Sequence, residues 1–104
     1  MDMSQQNEKT GDKVLPRVLV IDDEPTWLYV VAMRLKNCDY EVTTASSTDE
    51  AYENMAGQAF DVIITDVVMP GEDGISFMDR VHQSLPDVPV ILLTGLSQIE
   101  IAVD

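Results

Sequence analysis

The sequence predicts a doubly wound α/β fold, in which helices cover both faces of one parallel sheet. Apolar runs of strand length alternate along the chain with segments whose apolar residues recur every three or four positions. Such alternation is typical of parallel strands joined by right-handed helical crossovers. The clearest strand candidates, residues 18–21 and 90–93, are apolar at every position, which indicates that the sheet is covered on both faces.

The first strand and helix are predicted at residues 17–37. The apolar run 18–21 stops at Asp22, and Pro25 suits the first turn of a helix because no N–H is needed there. Four apolar residues at helical spacing mark the buried face of this helix: Trp27, Leu28, Val31 and Leu35.

A second strand and helix follow directly. Residues 41–45 are a shorter, half-polar strand candidate. Ser47 and Glu50 stand three positions apart, as in a capping box, and the helix that they open is expected to run through Met55 and stop at Gly57.

The third unit contains the stretch that carries most of the functional signal. Residues 62–64 have the β-branched centre of a buried strand, and Asp66 stands at its carboxyl end. The following loop cannot continue the strand because it contains Pro70 and Gly71. The next helix is expected to bury one face, formed by Ile75, Met78, Val81 and Leu85.

The fourth strand is predicted at residues 88–94. Gly95 breaks this apolar run, and Ser97 and Glu100 have the spacing of a capping box that opens a further helix.

Composition limits the domain count and the partners. With 104 residues, of which 45% are hydrophobic, the chain can build one small core. We expect a flexible polar leader over residues 1–14 and one folded domain over residues 15–104. A formal net charge of −13 argues against direct binding to nucleic acid or to an anionic membrane. One cysteine, Cys38, and a polar N-terminus indicate a cytoplasmic protein.

Polar groups follow three of the predicted strands at the edge where this fold binds ligands. Asp22 and Asp23 follow the first strand, Asp66 the third and Thr94 the fourth. A simpler interpretation of the first pair is an acidic loop that the adjacent helix dipole stabilises. The third acid, at the end of another strand, favours a site for Mg²⁺, which prefers carboxylate oxygens and retained water.

With these residues in place, the chain resembles the receiver domain of two-component response regulators over residues 17–104. The motifs that carry the resemblance are Asp-Asp-Glu-Pro at 22–25, Asp-Val-Val-Met-Pro-Gly-Glu-Asp-Gly at 66–74 and Pro-Val-Ile-Leu-Leu-Thr-Gly at 89–95. The resemblance implies a flavodoxin-like sheet with strand order 2-1-3-4. It also implies signal transduction by phosphorelay rather than enzymatic turnover, with a possible output domain beyond residue 104.

The resemblance also implies a role for each site residue. Asp66 would be the phosphoacceptor, taking a phosphoryl group from a sensor histidine kinase or a phosphotransfer protein. Asp22, Asp23 and Asp66 would hold Mg²⁺ together with the backbone carbonyl of Val68. Thr94 would be the switch hydroxyl that responds to the phosphoryl group.

The sequence departs from the family pattern at its C-terminal end. Receiver domains have a fifth strand bearing a lysine that pairs with the phosphoryl group, and a fifth helix, whereas this sequence stops before both. We therefore expect a C-terminally incomplete domain whose fourth strand is a sheet edge and favours a homodimer.

Two alternatives to phosphoacceptance stay open. The first is a protein-interaction scaffold that works without phosphorylation, which the missing lysine favours. The second is a hydrolase or phosphatase with Asp66 as nucleophile, which is less well supported because Val68 stands where its general acid is expected.

Overall fold

The computed structural model describes residues 14–93, which form four strands and three helices in alternation. The strands are β1 (Arg17–Ile21), β2 (Glu41–Ala45), β3 (Val62–Asp66) and β4 (Val90–Leu93). The helices are α1 (Pro25–Asn37), α2 (Thr48–Gly57) and α3 (Gly74–Ser84). Each strand and helix predicted within these residues is present.

The four strands form one parallel sheet in the order β2-β1-β3-β4. The chain passes from β1 to β2 on one side and then crosses to β3 on the other, so the strand order reverses between β1 and β3. The register pairs Ile21 with Thr65 across this switch point, and Asp66 with Leu93 on β4. The predicted doubly wound class and the order 2-1-3-4 are confirmed.

Two apolar layers lie on opposite faces of the sheet, because successive side chains of a strand point to opposite sides. The larger layer joins β1 and β3 to α2 and α3, and its most deeply buried members are Leu19, Ile21, Ala51, Ile63 and Phe77. The smaller layer joins β1 to α1 through Val18, Val20 and Leu28, with Val31 and Leu35 packed against them. The helices therefore cover both faces, as the apolar strands predict.

Helix α2 begins at the predicted cap. The Ser47 hydroxyl accepts a hydrogen bond from the Glu50 N–H at 3.1 Å. The return bond of the capping box goes one residue further back than expected, since Glu50 Oε1 accepts from the Ser46 N–H at 2.8 Å and from its hydroxyl at 2.9 Å. These bonds lower the pKa of the Glu50 carboxyl.

The buried face of α3 differs from the prediction. Ile75 is 49% exposed, and Leu85 is 43% exposed and follows the helix rather than belonging to it. Val81 is buried as predicted, and the other buried residues of the helix are Gly74 and Phe77. Their spacing of three and four places them on one stripe, which Ile75 misses by about one residue of helical rotation.

Some expectations fall on residues that the structure does not describe. The leader up to residue 13, Thr94 and the helix expected after Gly95 lie outside the described residues. Among the described helices, none combines the length and the hydrophobicity that crossing a membrane requires.

Candidate functional site

Three aspartates meet at the carboxyl edge of the sheet, and we call them the acidic cluster: Asp22, Asp23 and Asp66. Asp22 and Asp23 directly follow β1, and Asp66 is the last residue of β3. Because β1 and β3 are neighbours with Ile21 opposite Thr65, the next residues of both strands lie side by side. One carboxylate oxygen from each aspartate lies within 4.8 Å of the other two.

Asp22 is the buried member of the acidic cluster, with 7% of its surface exposed. Burial raises the pKa of its carboxyl above the ordinary value, against a hydrogen bond from the Glu24 N–H at 3.0 Å that lowers it. The carboxylates of Asp66 and Asp23 add to the rise. The cluster thus concentrates negative charge that a bound cation would offset.

The acidic cluster fits Mg²⁺ in its donor set, because Mg²⁺ prefers carboxylate oxygens. One oxygen from each aspartate lies within 4.8 Å of the other two, so a single ion between them would be within reach of all three carboxylates. Asp23 is exposed and Asp66 is half-buried, which leaves a solvent-facing side for the water that Mg²⁺ retains.

Of the other two predicted site residues, the structure describes Val68 but not Thr94. Val68 lies two residues after Asp66 with its side chain 74% exposed, and the role of its carbonyl stays a prediction. Thr94 lies outside the described residues. The residue before it, Leu93, is the register partner of Asp66, and its carbonyl accepts a hydrogen bond from the Val67 N–H at 3.1 Å.

The segment between Asp66 and α3, which we call the β3–α3 loop (residues 67–73), is held against the end of β3. The Gly74 N–H donates to the Val67 carbonyl at 2.8 Å. A Cβ at position 74 would collide with the Asp66 carbonyl oxygen, so only glycine fits there. Met69 is buried in the larger apolar layer, and Gly71 supplies a φ of +87°.

Comparison with known proteins identifies the family of this site. Residues 18–104 match the sequence profile described as the response regulator receiver domain. The chain belongs to this family. The receiver domain is 42% identical over 90 residues to the two-component response regulator ARR11 of Arabidopsis thaliana, covering 84% of this chain and 17% of that protein. It is 32% identical over 87 residues to the transcriptional regulatory protein ZraR of Escherichia coli K12, covering 84% and 20%.

Solved structures carry the same likeness in three dimensions. The receiver domain superimposes on the chemotaxis response regulator CheY4 of Vibrio cholerae with a TM-score of 0.76 at 32% identity, covering 82% of this chain and 72% of that chain. It superimposes on the response regulator TrrA of Thermotoga maritima, a complex with Mg²⁺-BeF, with a TM-score of 0.75 at 32% identity, covering 80% and 72%. The chain spans about a fifth of the length of ARR11 and of ZraR.

The receiver domain also contains a group of contacts around the β3–α3 loop that the sequence analysis missed. We call it the Glu72 triad, formed by Tyr52 on α2, Glu72 in the β3–α3 loop and Arg80 on α3. The Tyr52 hydroxyl donates to Glu72 Oε1 at 2.9 Å. Arg80 Nη1 donates to Glu72 Oε2 at 3.2 Å. The one available signal was an acidic residue in the loop after Asp66, and it does not reveal partners on two helices.

A cavity of about 320 Å³ lies at the opposite edge of the sheet. Apolar residues line much of it, including Met55, Phe60, Ile63, Leu85 and Val88. No member of the acidic cluster lines this cavity, so the cavity is separate from the charged end of the receiver domain.

Proposed function

We propose that this receiver domain accepts a phosphoryl group on Asp66 from a phosphohistidine of a sensor histidine kinase or a phosphotransfer protein. The observation that carries the proposal is the acidic cluster, whose three carboxylates converge at the switch point of the sheet. An Asp66 carboxylate oxygen attacks the phosphorus, a P–O bond forms and the P–N bond to histidine breaks. The histidine nitrogen keeps the electron pair, and Asp66 becomes an acyl phosphate.

We propose Mg²⁺ as the cofactor, held by Asp22, Asp23, Asp66 and the backbone carbonyl of Val68. Bound Mg²⁺ would supply positive charge against the carboxylates and the oxygens of the transferred phosphoryl group. The chain itself would orient the Asp66 carboxylate. The residue after Asp66, Val67, is fixed by backbone hydrogen bonds to Leu93 and Gly74. The likeness to TrrA, whose structure is a complex with Mg²⁺-BeF, supports this assignment.

We further propose that Thr94 is the switch hydroxyl and that the signal passes to an output domain beyond residue 104. A phosphorylated Asp66 presents acceptor oxygens that a nearby hydroxyl would approach. The relatives named as transcriptional regulators extend well beyond the matched segment. Given the formal net charge of −13, any contact with DNA would come from the output domain. The exposed free thiol of Cys38 is compatible with a cytoplasmic location.

Labelling with a small phosphodonor such as acetyl phosphate tests the proposal. The wild-type chain should take up an acid-labile phosphoryl group only in the presence of Mg²⁺, and Asp66→Asn should take up none. Asp39→Asn is the matched control, because Asp39 is exposed in a left-handed conformation that asparagine also adopts. Equal labelling of Asp66→Asn and wild type would exclude Asp66 as acceptor. Absence of labelling in wild type would favour the phosphorylation-independent scaffold.

A homodimer through β4 is proposed on a separate observation. In the part of the chain that the structure describes, β4 pairs with β3 alone and forms one edge of the sheet. Ile91 on this strand is 46% exposed. An edge strand with apolar side chains can add a strand from a second copy through backbone hydrogen bonds.

A further inference from the structure

The Glu72 triad links helices α2 and α3 to a single carboxylate in the β3–α3 loop, which begins directly after Asp66. Both Glu72 oxygens are used, one by the Tyr52 hydroxyl and the other by Arg80. The Arg80 guanidinium also lies over the Tyr52 ring, 4.8 Å from its centroid. Each member of the triad therefore contacts the other two, which fixes the carboxylate more firmly than one isolated surface pair would.

Glu72 is held in place although it belongs to a loop. Its side chain is 16% exposed, whereas that of Arg80 is 61% exposed. A carboxylate this far removed from water needs hydrogen-bond donors from the protein, and the triad supplies them. The next residue, Asp73, accepts from the Ser76 N–H at 2.8 Å and caps α3. The end of the β3–α3 loop is thus fixed by two consecutive acidic residues.

The tyrosine of the triad has firm support of its own. The Tyr52 ring lies 5.3 Å from the ring of Phe77, which is fully buried in the larger apolar layer. The residue before Tyr52, Ala51, is also fully buried. Tyr52 is therefore held in place by the core, and its hydroxyl fixes Glu72 relative to that core.

We propose that Tyr52 and Arg80 are positioning residues for the acceptor site, acting through Glu72 on the β3–α3 loop. This inference rests on the proposed function, because the loop connects Asp66 and the Val68 carbonyl to α3. By fixing the loop, the triad would limit how far these two groups move relative to each other. Loosening the triad should weaken Mg²⁺ binding even though none of its members is a ligand.

Tyr52→Phe is the sharpest test because it removes one hydroxyl and changes no charge below the titration range of tyrosine. The Mg²⁺ dissociation constant, followed by Trp27 emission, should rise about twofold to tenfold, the range that one lost hydrogen bond produces. Tyr40→Phe is the matched control. Tyr40 precedes β2 at the opposite edge of the sheet, so its variant should bind Mg²⁺ as wild type does.

A second pair of variants separates geometry from charge. Glu72→Gln and Glu72→Ala remove the same negative charge, but the glutamine amide oxygen can still accept from the Tyr52 hydroxyl. The positioning role predicts a higher dissociation constant for Glu72→Ala than for Glu72→Gln. A purely electrostatic effect on the cation would give the two variants equal values.

The outcomes separate this inference from the function on which it rests. If wild type shows no Mg²⁺ binding, the proposed metal site fails and the positioning role fails with it. If wild type binds but Tyr52→Phe has an unchanged dissociation constant, only the positioning role is overturned. Chemical unfolding without Mg²⁺ completes the test. If Tyr52 had only a structural role, Tyr52→Phe would lower the free energy of unfolding and leave the Mg²⁺ affinity of the folded chain unchanged.

Discussion

Asp22 is buried at the end of β1, and its carboxylate faces those of Asp23 and Asp66. Burial and these neighbours raise its pKa, and the Glu24 N–H opposes them. Such an arrangement contributes little to folding by itself, because it brings like charges together. Under the proposed function it binds a cation, and the acidic cluster rather than any single aspartate is then the functional unit.

Asp23→Asn tests the metal site at this scale. The change preserves side-chain size but removes a charged ligand, so the Mg²⁺ dissociation constant should rise by roughly tenfold or more. Loss of a residue that only hydrogen-bonds to a metal ligand already has an effect of that size. Trp27 emission provides the measurement, with Asp39→Asn as the charge-matched control. A titration of Asp23→Asn that overlays that of wild type would place the cation elsewhere.

Tyr52 supplies a prediction about alkaline pH. Burial first, and then its hydrogen bond to Glu72, raise the Tyr52 pKa to about 12 from 10.0. Below pH 10 the hydroxyl is protonated in the folded and unfolded chains alike, so its contribution to stability is fully present. Between pH 10 and about 12 the unfolded chain loses its proton first, and the free energy of unfolding should fall.

Ultraviolet titration of tyrosinate checks this expectation. Tyr52 should ionise with a pKa of about 12, and Tyr52→Phe should remove that step. If the Tyr52→Phe variant retained the transition near pH 12, that transition could not be assigned to the burial of Tyr52 and its hydrogen bond to Glu72.

At the scale of single elements, the rotation of α3 depends on one glycine. The stripe of Gly74, Phe77 and Val81 faces the sheet because Gly74 lies directly against the Asp66 carbonyl. The same contact sets the path of the β3–α3 loop. Packing of the helix and shape of the site are therefore controlled by the same residue.

Gly74→Ala should destabilise the fold by about 1–3 kcal/mol, the usual cost of forcing extra volume into a packed position. Gly57→Ala is the control at the end of α2, where an added Cβ meets no atom within 4 Å. It should stabilise by about 0.4–1 kcal/mol by restricting the unfolded chain. Urea unfolding measures both, and similar free energies of unfolding for the two variants would contradict the role assigned to Gly74.

The sequence was sufficient to predict the strands and the acidic cluster. An apolar run reveals a buried strand locally, and parallel strands bring their carboxyl ends together whatever the details of packing. Asp22, Asp23 and Asp66 can therefore be grouped from the sequence alone. The capping residue Ser47 was equally accessible, because its hydrogen bond spans only three positions.

The rotation of α3 and the Glu72 triad could not be predicted in this way. Periodicity alone gave Ile75 and Leu85 as buried, but the contact of Gly74 with β3 turns Phe77 inward instead. Tyr52 and Glu72 are 20 positions apart. Their contact depends on how α2 and α3 pack on the sheet, which local sequence patterns do not determine.

At the scale of the whole molecule, the proposed metal and acceptor site lies at the carboxyl ends of the strands, and the proposed association surface lies along one side of the sheet. The acidic cluster lies at the carboxyl ends of β1 and β3, whereas β4 borders the described sheet. A partner strand on β4 would leave Asp22 and Asp23 accessible, because β3 lies between β1 and β4. Association and metal binding can therefore be tested separately.

Ile91→Lys tests the proposed homodimer. A charge on the exposed side of β4 should disfavour strand addition and shift sedimentation toward the monomer. Ile75→Lys is the matched control, since Ile75 is 49% exposed but belongs to α3 rather than to the sheet. Wild-type chain that sediments as a monomer at all accessible concentrations would contradict the homodimer.

The most direct measurement of the central claim is to locate the phosphoryl group on the chain. Wild-type protein is incubated with acetyl phosphate and Mg²⁺, the acyl phosphate is trapped by borohydride reduction, and the peptides are sequenced by mass spectrometry. We predict conversion of Asp66 alone, and none when Mg²⁺ is withheld. Modification at another aspartate, or equal modification without Mg²⁺, would contradict the assignment of Asp66 as a metal-assisted phosphoacceptor.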